Sequence, residues 1–103
     1  AARMGRKSSG EGDESSSSQR LMLQMDGNTV NVIGMRAEEA IGAVQDQVEQ
    51  CARGGWGAVY VIHGVGTGIL KNAIHADLKS NPSVRSFQIE LKSGGGSTIV
   101  YLR

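Results

Sequence analysis

"VIHGVGTGIL", residues 61–70, is where a strand becomes a helix, and its reading decides the fold. Val59, Tyr60, Val61 and Ile62 lead in as a continuous apolar run, as expected of a central strand covered on at least one face. His63 follows, then a turn holding Gly64, Gly66 and Gly68 with Thr67 between the last two. Beyond it, Ile69, Leu70, Ala73, Ile74 and Leu78 recur at helical spacing. A histidine placed at the end of a buried strand, directly before so many glycines, asks for a reason other than packing.

The same grammar extends outward. "TVNVI" (29–33) is a β-branched run and reads as the first strand. Gly34 and Met35 turn the chain, and from Arg36 the positions Ala37, Ala40, Ile41, Val44, Val48 and Cys51 line one helical face. Glu38 and Glu39 sit in the first turn, where the helix dipole favours them. "ARGGWG" (52–57) ends this helix, and "AVYVI" (58–62) is the second strand. "SNP" (80–82) stops the second helix, because the residue before proline avoids the helical region. Phe87, Ile89 and Leu91 alternate with polar residues as a half-buried third strand. "SGGGS" (93–97) reads as a hairpin loop and "TIVYL" (98–102) as the fourth strand.

This order predicts a two-layer α/β sandwich, β-α-β-α-β-β, with a four-stranded mixed sheet and both helices on one face. Strand–helix–strand units of this length make parallel pairs, and the glycine loop joins the last two strands antiparallel. Residues 27–103 form the domain. Residues 1–26, including "KSSGEGDESSSS", form a Ser/Gly/acidic tail or linker that cannot bury enough surface to offset the entropy of ordering. "LMLQM" (21–25) is apolar and could lean on the domain.

Composition narrows the function. With one cysteine, Cys51, and two histidines, the chain can form neither an internal disulfide nor a cysteine/histidine zinc cluster. No apolar run approaches the roughly 20 residues that span a bilayer. The start, Ala1-Ala2-Arg3, has no apolar signal core and no initiator Met, as expected of a fragment or a processed chain. The net charge is +1, so a polyanion would meet a local patch and not a basic coat.

Parallel strands place their C-terminal ends on one rim, where ligand sites of such sheets lie. That rim gathers Arg36, His63, Gly64, Gly66, Thr67, Gly68 and Lys92, with Lys71 a step inside. A helix N-terminus offers free N–H groups and a positive dipole end, and glycines let a phosphate approach them. Arginine and lysine can hold neighbouring phosphates, and histidine as a residue type can act as acid, base or phosphate ligand. Known phosphate loops fit poorly. The Walker pattern ends in Gly-Lys-Ser/Thr, and the dinucleotide pattern is G-x-G-x-x-G where this chain has G-x-G-x-G. The plain alternative is a tight turn with no ligand. His75 reads as a surface or boundary residue, and Trp56 as packing at the helix–strand junction, or stacking on a base if exposed.

"TVNVIGMRAEEA" (29–40), "VIHGVGTGIL" (61–70) and "NPSVRSFQIELKSGGGSTIVYL" (81–102) together resemble the Smr (small MutS-related) domain. The resemblance runs from about Asn28 to Arg103, and H-G-x-G followed by T-G-x-L is its most specific part. The chain is most similar to the C-terminal Smr domain of MutS-type proteins acting outside mismatch repair. The resemblance implies a fold related to the C-terminal domain of bacterial translation initiation factor three, and binding to DNA or RNA, often with nicking. It also implies roles on branched DNA, in suppressing recombination, or on messenger RNA at stalled ribosomes. The setting would be bacterial, or plastid in plants and algae. The parent protein would supply an ATPase and a dimerising arm, with the isolated domain a monomer.

One position departs from the family pattern, which reads Leu-Asp-Leu-His or Leu-Asp-Leu-Arg before glycine. This chain has Val30-Asn31-Val32-Ile33-Gly34. An Asp can orient a histidine, act as a base or hold a metal, whereas Asn can only hydrogen-bond. The expected function is therefore nucleic-acid binding with endonuclease activity directed by structure and not by sequence, His63 and Asn31 standing at the catalytic positions. Gly64, Gly66, Thr67, Gly68, Lys71, Arg36 and Lys92 would hold the backbone. No residue set assigns a metal, and Mg2+ is the one cofactor left open. The rival readings are a binder without catalysis, because Asn31 replaces the acid, and a ribosome-docking module.

Overall fold

The structure, a computed structural model, describes residues 22–103. The Ser-rich segment falls outside the described residues. Met22–Met25 do lean on the domain. The Tyr60 hydroxyl donates to the Met22 carbonyl (2.8 Å), and Asn28 Nδ2 donates to the Leu23 carbonyl (2.9 Å). A 3-10 turn, Asp26–Asn28, leads into the first strand. Residues ahead of 27 thus make hydrogen-bonded contact with the domain.

Strand β1 (Thr29–Asn31) is followed by helix α1 (Ala37–Arg53), strand β2 (Ala58–Ile62) and helix α2 (Ile69–Lys79). Strand β3 (Val84–Glu90), a 3-10 turn (Leu91–Ser93) and strand β4 (Ser97–Leu102) complete the fold. The order and types are those the periodicity predicts. β1 is shorter than predicted, because Asn31 Oδ1 accepts the Ile33 N–H (3.0 Å) and the Met35 N–H bonds the Val32 carbonyl (3.1 Å). These local bonds turn the chain out of the sheet. The loop between β3 and β4 begins with the extra 3-10 turn, where the Lys92 N–H is held by the Glu90 carboxylate.

The sheet order is β1-β2-β4-β3. β1 and β2 pair in parallel, and β4 is antiparallel to both β2 and β3. The second strand–helix–strand unit is therefore not a hydrogen-bonded pair as predicted. β2 and β3 point the same way, but β4 is inserted between them. Central placement suits β4, whose Thr98, Val100 and Leu102 are all buried.

Both helices cover one face. Ala40, Val44, Val48 and Cys51 of α1 join Ile74 and Leu78 of α2 over Val59, Val61, Val100 and Leu102 in one core. Fully burying each such branched side chain contributes about 1.5–3 kcal/mol. Burial raises the Cys51 thiol pKa, opposed by a hydrogen bond from Gln47, so this is an inert core thiol. Trp56 packs against the core at the helix–strand junction, and its ring covers Gly27 so closely that a Cβ there would meet Cζ2 at 2.9 Å. Among the described residues no helix is long and apolar enough to cross a membrane.

Candidate functional site

The turn from β2 to α2 is built by backbone geometry that few residues other than glycine adopt. Gly64 has φ +79° and Gly68 φ +81°, both left-handed. Gly68 is the N-cap of α2 and makes no side-chain cap. Its carbonyl accepts the Asn72 N–H (2.8 Å), which starts the helix. The Ile69 N–H has only a long contact to Thr67 Oγ1 (3.4 Å). The helix end is thus left open at the surface, its first amides available to an incoming acceptor.

A shallow cleft of about 210 Å³ lies over this turn, lined by Ile33, His63, Gly64, Thr67, Gly68 and Lys71 among others. Lys71 is half-buried and its Cε lies 3.8 Å from where a Gly68 Cβ would stand, so its stem folds back along the turn. Val65 and Ile69 are 75% and 65% exposed, giving the cleft an apolar lip.

His63 sits underneath this surface and is only 4% exposed. Its Nδ1 is 2.9 Å from the Gly64 carbonyl and its Nε2 is 2.8 Å from Thr98 Oγ1. The same Thr98 oxygen lies 2.8 Å from Nε2 of His75 on α2. The two imidazoles stand edge to face at 6.3 Å, and His75 also packs on Phe87 of β3 at 4.7 Å. The backbone N–H groups of His63 and Gly64 both donate to the Gly96 carbonyl (2.9 and 2.8 Å). The glycine loop before β4 therefore ties down the glycine turn after β2.

The rim residues separate into groups. His63, the glycines, Thr67 and Lys71 come together at the cleft. Arg36 is exposed at the start of α1, beyond β1. Lys92 follows β3 at the opposite sheet edge and lines a different hollow with Tyr60, Gln88 and Ile99 on the helix-free face. Asn31 is exposed and pairs with Ile62, one residue before His63. Successive strand residues point to opposite faces, so Asn31 and His63 are on different sides of the sheet. Asn31 braces the turn to Ile33 and stands apart from His63.

His75, read from sequence as a boundary residue, is indeed half-buried, but it also belongs to the polar chain under the turn. Thr98 is a member of this chain that the sequence motifs do not mark. Its signal was its place in the alternation Thr98, Val100, Leu102, which sends a hydroxyl into the core, where it needs partners. No group of three or more His, Cys, Asp or Glu side chains converges among the described residues. The cleft supplies hydroxyl, amide and ammonium groups and no carboxylate, which does not fit a protein-held magnesium.

Burial holds the His75 pKa below its usual 6.5, with His63, Lys71 and Lys79 adding repulsion of positive charge. A histidine depressed in the folded state takes up a proton more readily when unfolded. Its contribution is therefore complete above the unfolded value and is lost as pH falls through the folded one. The urea midpoint of unfolding is expected to fall as pH drops from about 7 to about 5. His75→Gln should be less stable at neutral pH and show a flatter profile over that interval. An unchanged profile in this variant would assign the dependence to other groups.

The Smr domain family profile matches residues 30–103. A relative from Clostridium acetobutylicum, "Endonuclease MutS2", is 37% identical over 86 residues, covering 82% of this chain and 11% of the relative. The protein of the same name from Aquifex aeolicus is 38% identical over 77 residues, 73% of this chain and 10% of the relative. The chain thus spans about a tenth of the length of these relatives. Among solved structures, the Smr domain of Thermus thermophilus MutS2 superposes with a TM-score of 0.70 at 32% identity, covering 74% of this chain and 98% of that one. YdaL from Escherichia coli, a stand-alone small MutS-related protein, shares the fold, with a TM-score of 0.71 at 24% identity over 77% of this chain and 66% of its own. Sequence match and fold agree, and the chain belongs to the Smr domain family.

Proposed function

We propose that this domain binds the phosphate backbone of DNA or RNA at the glycine turn. The observation that carries it is the uncapped N-terminus of α2 behind Gly68, with the Lys71 stem folded over that glycine. Open helix amides and a nearby ammonium suit a phosphate oxygen. Arg36, exposed at the start of α1 and outside the cleft, would serve a separate phosphate of the same backbone. The relatives named endonuclease MutS2 support nucleic acid as the ligand class.

Two forms of this reading differ in chemistry. In one, the bound phosphodiester is nicked at the turn, as the relatives' name suggests. In the other, the domain holds nucleic acid without cutting it. One observation supports the second: both ring nitrogens of His63 have partners within the protein.

Binding and nicking should be measured together on supercoiled plasmid and on a structured RNA, with and without magnesium. Wild type, Lys71→Ala, His63→Ala and Asn31→Asp form the set. Wild type should bind both polymers with weak sequence preference and lose affinity as salt rises. Lys71→Ala should reduce the slope of log affinity against log salt by about 1. Nicking abolished by His63→Ala would restore the catalytic form. No binding to either polymer at low salt would overturn the phosphate site and leave docking on a protein surface, such as that of a ribosome, as the rim's use.

A further inference from the structure

Beneath the cleft, three polar side chains from three different elements are strung together in the core: His63 after β2, Thr98 of β4 and His75 of α2. Thr98 is 0% exposed and His63 4%, so both side chains find their partners inside the protein. The donors and acceptors can be assigned by elimination. A backbone carbonyl only accepts, so Nδ1 of His63 must carry the hydrogen it shares with Gly64. In a neutral imidazole the other nitrogen, Nε2, is then an acceptor. The Thr98 hydroxyl has one hydrogen and donates it there. Its oxygen accepts in turn from Nε2–H of His75. The chain has one direction throughout: His75 Nε2–H to Thr98, Thr98 O–H to His63, His63 Nδ1–H to the Gly64 carbonyl.

We propose that Thr98 and His75 are positioning residues for the glycine turn, acting through His63. They fix its tautomer and ring plane, and the ring in turn fixes the Gly64 peptide plane at the start of the turn. Without Thr98 the donor to Nε2 is lost, and His63 is free to take the other tautomer, which cannot donate to Gly64. The Gly64 end of the turn would keep the Gly96 carbonyl, through the His63 and Gly64 N–H groups, but lose the brace from the ring. The functional half of this inference rests on the phosphate-binding reading of the turn. The structural half does not.

The test begins with nitrogen-15 imidazole spectra of the wild-type chain at slightly alkaline pH. His63 should be protonated on Nδ1 and His75 on Nε2. In Thr98→Val, which keeps the side chain's shape, His63 should lose its single tautomer and the amide signals of residues 64–68 should move. Affinity for a branched DNA and for a structured RNA should fall about tenfold, the equivalent of one lost positioning hydrogen bond. Thr98→Ser returns the hydroxyl and should restore all three readouts. His63 protonated on Nε2 in the wild type overturns the proposal without any variant. So do amides 64–68 and affinity that stay unchanged in folded Thr98→Val. If the wild type binds neither polymer, the phosphate reading fails, while the tautomer and the amide shifts still decide whether Thr98 and His75 position the turn.

Discussion

Asn28→Asp is expected to destabilise the domain by about 3–5 kcal/mol, the range for a buried charge left without a partner. Asn28 is fully buried. Its Nδ2 donates to the Leu23 carbonyl and to the Ala58 carbonyl, both at 2.9 Å, and its Oδ1 accepts the Met25 N–H at 2.8 Å. A carboxylate in that place would aim a charged oxygen at two carbonyl oxygens, with no donor to replace the amide. Asn28→Ala leaves the same carbonyls without the amide but adds no charge, and should cost less, about 1–3 kcal/mol. Urea unfolding separates the two. The introduced carboxyl would have a folded pKa raised above its unfolded value of about 4. Its penalty is therefore complete at neutral pH and should shrink as pH falls toward that value. A penalty below about 1 kcal/mol at pH 7 would mean that residues 22–25 detach easily and let the side chain reach water.

The second large effect is expected at Ile74. It is 0% exposed on the inner face of α2 and among the largest fully buried side chains in the domain. Ile74→Ala should cost about 2–5 kcal/mol, and Ile74→Val about 0.5–1.5. A domain with a core this small has a total stability near the low end of about 5–15 kcal/mol, so the alanine variant should be partly unfolded at room temperature. Thermal and urea denaturation monitored by the Trp56 signal would show it. A cost for alanine no larger than that for valine would mean that α1 and α2 close over the cavity. α2 also carries His75, the residue after Ile74, so the same packing that stabilises the helix sets one end of the polar chain under the turn.

What the sequence reveals follows the physics of each element. α1 and α2 are legible because their apolar residues recur at helical spacing and because glycines and Pro82 mark the boundaries. β2 and β4 are legible because they are apolar on both faces. The insertion of β4 between β2 and β3 is not, since the local pattern of a strand does not name its neighbours. The glycine turn could be found from Gly64, Gly66 and Gly68, whose spacing has no place in a strand or a helix. The opposite facing of Asn31 and His63 needed the register of β1 on β2, a tertiary fact. Thr98 is not legible because a threonine in a strand is ordinary, and only its partners make it unusual.

The tie between the two glycine-rich loops also bears on when the site comes into being as the chain is made. Gly96 supplies the carbonyl that His63 and Gly64 bond, and Thr98 supplies the hydroxyl between the histidines. Both belong to the last stretch of the domain to be synthesised. A nascent chain that has reached only β3 contains every glycine of the turn, yet has neither anchor for it. It also presents unpaired edges on β2 and β3, where β4 will enter. The site is finished only when the last strand slides into the middle of the sheet, so a partly made domain has no shaped cleft with which to capture a ligand early.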